Sequence, residues 1–130
     1  MENKKPLLAS GKIIKDYRIL FEYCKIYKKE KGAKAEEVLL DRKDFDYLKK
    51  LVQEGIIKAG ELLNRLSVYY EEKIDPEIAV KAYAVTYGIE YSKVDKDLAV
   101  HELSRTLAGW LIEASEKLGI LEIKGYSYRR

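Results

Sequence analysis

In 130 residues the chain has one cysteine, one histidine, one methionine, one tryptophan and two prolines. With Cys24 alone there is no internal disulfide, no CxxC pair and no Cys/His cluster to hold zinc. With His101 alone, neither a two-histidine metal site nor a His–His dyad can be assembled. Apolar runs extend only a few residues, far short of the roughly 20 that a bilayer-spanning helix needs. The basic start is not followed by the apolar stretch of a secretory signal. Neither a transmembrane segment nor a signal peptide is expected, and the chain reads as intracellular and metal-free. No GxGxxG, P-loop, HExxH, GxSxG or EF-hand spacing occurs, so no cofactor, small-molecule substrate or catalytic residue is expected. His101 reads as a partly exposed helix residue and Cys24 as a small buried hydrophobe. Glu36/Glu37 and Glu71/Glu72 read as solvated surface.

Charge, by contrast, is abundant and unevenly placed. Residues 1–34 hold ten Lys/Arg against four Asp/Glu, a balance of +6, whereas residues 35–130 hold fifteen against eighteen, a balance of −3. The formal total of +3 hides a basic arm that is also rich in tyrosine. At 47% hydrophobic and 36% charged, the chain is expected to be a soluble globular protein with enough residues for one domain. Its wealth of Lys, Glu, Ile and Tyr is the composition of proteins from hot environments.

The pattern predicts an all-α fold: a basic N-terminal arm and helix over 1–34, then a compact bundle of about four helices over 35–130, ending in a short extended tail. Residues 1–10 lack periodicity. From Lys12 to Lys29, Ile13, Ile14, Tyr17, Leu20, Phe21, Cys24 and Tyr27 form one helical stripe, with Ile19, Tyr23 and Ile26 as a second strip beside it. A short turn is expected over 35–40. Asp41 caps a long helix running to about Glu72, with the seam Leu48, Val52, Gly55, Ala59, Leu62, Leu66 and Tyr69. Gly55 and Ala59 would admit a close partner helix, and Asp44 would favour the positive end of the dipole. Asp75-Pro76 opens a short helix that ends near Gly88. The last helix follows Ser92 or Asp95, buries Val100, Leu103, Leu107, Trp110, Leu111, Ala114 and Leu118, and closes at Gly119. Residues 120–130 have some strand character and would suit the small wing of a winged-helix domain.

The basic arm is the feature that points to a partner. Lys12, Lys15, Arg18, Lys25, Lys28, Lys29, Lys31 and Lys34 could neutralise several phosphates, each contact releasing counterions. Lysine outnumbers arginine, which suits charge neutralisation more than bidentate base reading, so binding should ignore sequence. Tyr17, Tyr23 and Tyr27 read chiefly as helix packing, since base stacking needs an exposed ring.

The Lys/Tyr-rich stretch from Lys12 to Lys34, followed by a bundle helix with Leu62-Leu63-Asn64-Arg65-Leu66 and Tyr69-Tyr70, resembles the major coat proteins of filamentous archaeal viruses: the rudivirus, lipothrixvirus and tristromavirus groups. The likeness is architectural and rests on no diagnostic motif. It implies that two coat subunits, identical or paralogous, wrap N-terminal helices around double-stranded DNA in A-form. Stacked dimers would then build the nucleocapsid filament of a virion. It implies phosphate contacts for Lys12, Lys15, Arg18, Lys25, Lys28, Lys29 and Lys31. Two other readings compete: a small nucleic-acid-binding regulator or RNA-binding subunit, and a helical protein–protein adaptor.

Overall fold

A computed structural model describes residues 16–56 and 58–117. Lys12, Lys15, the Ile13/Ile14 start of the first stripe, the closure at Leu118 and Gly119, and the 120–130 tail or wing lie outside the described residues. Every regular element among the described residues is helical: α1 (Arg18–Lys31), α2 (Glu36–Leu39), α3 (Arg42–Gln53), α4 (Ala59–Glu71), α5 (Pro76–Tyr87), a 3-10 turn at Tyr91–Lys93, and α6 (Lys96–Lys117).

Helix starts follow capping chemistry. Asp41 accepts from the Asp44 amide at 3.3 Å, and the Asp44 carboxylate accepts from the Asp41 amide at 3.1 Å, a reciprocal capping box on α3. Asp75 caps α5 through the amides of Glu77 and Ile78, with Pro76 at the first helical position. Asp95 caps α6 through Asp97 and Leu98. The α1 boundary is corrected from Lys12 to Arg18: Asp16 and Tyr17 are non-helical, and Asp16 accepts from the Arg18 amide at 3.1 Å.

The long helix expected over 41–72 is two helices. After α3 the Gly55 amide donates to the Val52 carbonyl and the Ile56 amide to the Leu51 carbonyl, both at 3.0 Å, which is the Schellman arrangement. It requires a left-handed residue, and Gly55 has φ +96°. The apolar periodicity continues across the break, which is why it reads as one seam.

Two helix pairs form the body. α4 packs along α6, α1 packs along α5, and α5 joins the pairs by its contact with α6; α3 leans on α4 and α6. The core is built from Leu20 and Tyr23 of α1, Leu48 and Leu51 of α3, Leu62, Leu66 and Tyr70 of α4, Ile78 and Ala82 of α5, and Leu103, Leu107 and Ile112 of α6. α6 is buried on most sides, and two of its inward hydroxyls are satisfied within the helix: Ser104 donates to the Val100 carbonyl at 2.6 Å and Thr106 to the Glu102 carbonyl at 2.8 Å. Val100, Trp110 and Ala114 are half-buried rather than buried. No helix among the described residues is long and apolar enough to cross a membrane.

Candidate nucleic-acid interface

The placement of α1 determines which of its cations reach solvent. Of its two apolar strips, the one with Ile19 and Tyr23 goes inside along with Leu20, while Phe21 is left 58% exposed and Cys24 half-buried. The expected stripe is therefore rotated. Burying a large apolar side chain contributes roughly 1.5–3 kcal/mol, so the choice is set by what each strip meets. Tyr23 meets a partner: its hydroxyl accepts from the Asp75 amide at 3.0 Å, tying α1 to the start of α5. Burial raises the Tyr23 hydroxyl from its ordinary 10.0 to about 12. Just before α1, the Tyr17 hydroxyl donates to Glu113 at 2.5 Å and its ring lies 6.3 Å from Trp110. The first helix is thus packed as a member of the bundle, with only its outward side open.

That outward side carries most of the predicted phosphate contacts. Arg18, Lys25, Lys28 and Lys29 are all exposed, as is Phe21, and Lys34 is exposed in the loop that follows. Arg18 chelates Asp16, Nε to Oδ1 at 2.9 Å and Nη2 to Oδ2 at 2.7 Å, and sits 5.8 Å over the Tyr87 ring. The guanidinium holds the Asp16 carboxyl below its ordinary value. Lys25 pairs with Glu22 at 3.2 Å. Both pairs are solvent-exposed, a class worth little and readily exchanged for a phosphate. Lys31 differs from the rest of the predicted set. It points toward α5 and pairs with Asp75 at 3.2 Å. At Asp75, burial pushes the carboxyl up, but the hydrogen bonds from Ile78 and Lys31 and the Lys31 charge prevail and hold it below its ordinary value.

Cys24, Lys25, Lys28 and Lys34 line a solvent-open groove of about 410 Å³. Lys34 reaches it because Gly32 takes φ +72° at the end of α1, donates to the Lys28 carbonyl at 2.9 Å and turns the chain back. The pattern readings missed Phe21 as the exposed ring. Its signal was present in the spacing, since Arg18, Lys25 and Lys28 lie three, four and seven residues away on the same helical face.

Two other polar sites invite comparison. Asp44, fully buried, accepts from Lys73 Nζ at 2.7 Å and the Tyr69 hydroxyl at 2.6 Å; Tyr47 stacks on Tyr69 at 4.5 Å, and Lys73 lies 5.4 Å over the Tyr69 ring. Burial, reinforced by Asp44, raises the Tyr69 and Tyr70 hydroxyls well above the ordinary tyrosine range. The cluster clamps α3 to the end of α4. The other site is an open depression of about 430 Å³ lined by Glu71, Pro76, Lys96, Asp97, Val100 and His101. His101 is exposed, and its Nδ1 stands 3.9 Å from Glu71, beyond hydrogen-bond reach. Among the described residues the lining carries no hydroxyl or thiol nucleophile. Among the described residues no group of three or more His, Cys, Asp or Glu is arranged to hold a metal.

Comparison with protein-family models, with curated proteins and with solved structures gives no match.

Proposed function

We propose that this protein is a non-enzymatic nucleic-acid-packaging protein that neutralises duplex phosphates without reading sequence, in the manner of a filamentous coat subunit. The observation that carries the reading is the outward face of α1, where Arg18, Lys25, Lys28 and Lys29 stand exposed while the opposite face is fixed in the core. From Arg18 to Lys29 the helical rise covers about 16 Å, enough to follow several phosphates along one strand. A rigid rod presents those charges without the ordering entropy that a disordered basic segment would lose on binding. Phe21 adds an apolar surface for sugars between the cations. The lysines that precede α1, Lys12 and Lys15 among them, extend the positive strip in sequence.

The test is binding to a random-sequence duplex across a salt series, with particle size followed by light scattering. The expected result is a steep fall of affinity with salt and growth into large particles on the duplex. Absence of binding at low salt overturns the reading.

One observation favours a second reading, a helical protein–protein adaptor. Around the α5–α6 connection Val85, Tyr87, Ile89, Tyr91 and Leu98 expose apolar surface. In that case, partner binding survives high salt because apolar burial is not screened.

A further inference from the structure

We infer that the groove formed by Cys24, Lys25, Lys28 and Lys34 is a phosphate seat, the point at which a backbone phosphodiester is held most tightly; its natural ligand, though not its chemistry, rests on the packaging reading above. Lys25 and Lys28 from one turn of α1 and Lys34 from the returning loop line one concavity, and among the described residues no carboxylate lines it. Lys25 is itself paired with Glu22 at 3.2 Å. Lysine is a point-charge phosphate binder that needs no planar fork. Position on the helix works against an anion here, because the C-terminal end of α1 carries the negative half of the dipole. The lysines of the last turn, Lys28, Lys29 and Lys31, offset it. At about 410 Å³ the groove has room for a phosphodiester with its sugar, and exposed Phe21, one turn earlier on the same face, offers that sugar an apolar neighbour.

Cys24 makes the seat measurable. It is half-buried in the groove wall and is the chain's single cysteine, so any thiol chemistry reports on this place alone. The experiment follows alkylation of Cys24 in the full chain by iodoacetamide, a neutral reagent, at matched ionic strength. Rates are taken without ligand, with a random-sequence duplex and with inorganic tripolyphosphate, while fluorescence anisotropy of a labelled duplex records whether it binds. A phosphate in the seat slows alkylation severalfold with either ligand, and Lys28→Glu with Lys34→Glu abolishes the protection. Both residues are at the surface, and the pair Lys28→Gln with Lys34→Gln provides a milder variant should the reversal disturb folding. If the duplex binds and Cys24 reacts at its unliganded rate, the seat is overturned and packaging stands. If tripolyphosphate protects while the duplex does not bind, the seat stands as an oxyanion site and packaging falls. If neither ligand binds nor protects, both are overturned.

Discussion

Lys73 and Lys28 are the same residue type given opposite tasks by their surroundings. Lys73 has only 21% of its side chain exposed and sits against the fully buried Asp44, between tyrosine rings. Lys28 stands exposed on a helix whose other side is core, in a groove lined by no carboxylate among the described residues. A lysine whose charge is already matched inside the protein holds helices together. One whose charge is displayed on a rigid surface with weak or no competition is available to an external anion. Counting lysines along the chain cannot separate the two.

High pH attacks the interior of this comparison and has the largest expected effect. Burial holds the Tyr23 hydroxyl at about 12 against its ordinary 10.0, and holds those of Tyr69, Tyr70 and Tyr87 higher than usual for the same leading reason. Below the ordinary value both folded and unfolded chains keep these protons, so the stabilisation is intact. Above it the unfolded chain releases them and the folded chain does not, so stability falls as pH rises toward and through the folded values. Helical circular dichroism should collapse together with the rise of tyrosinate absorbance, rather than after a gradual ionisation in the folded state.

Asp44→Ala removes both the buried partner of Lys73 and half of the capping box. The expected loss is about 3–5 kcal/mol, read from urea unfolding. Duplex affinity per folded molecule should stay unchanged, because the cluster is separate from the outward face of α1. Tyr23→Phe keeps the ring but withdraws the acceptor from the Asp75 amide. It should cost about 1 kcal/mol, read from urea unfolding. Gly55→Ala forces an L-residue into φ +96° with no steric neighbour within 4 Å among the described residues, so the expected cost is backbone strain, about 1 kcal/mol.

Much of the fold was legible because local chemistry decided it. Asp41, Asp75-Pro76, Asp95 and Gly88 mark helix ends through groups within a few residues of themselves, and the helices begin or end there. The break at Gly55 was not legible, because the apolar spacing from Leu48 to Leu66 continues in phase across it. Nor was the rotation of α1: both strips are apolar, and the choice rests on a hydroxyl contact to Asp75, 52 residues away. The same holds for Asp44, which reads as a dipole-friendly first-turn acid until Lys73, 29 residues later, is brought to it. Of the predicted phosphate contacts, Arg18, Lys25, Lys28, Lys29 and Lys34 share the open side. Lys31 turns to Asp75, a partner that spacing could not reveal.

The most direct measurement is the salt slope of duplex binding for the native chain beside the variant Arg18→Glu, Lys25→Glu, Lys28→Glu and Lys29→Glu, with circular dichroism confirming that the bundle is retained. If the outward face of α1 neutralises phosphates, the variant binds far more weakly and the slope of log affinity against log salt shrinks by about 1 for each cation that touched a phosphate. An unchanged affinity and slope in a folded variant would contradict the account.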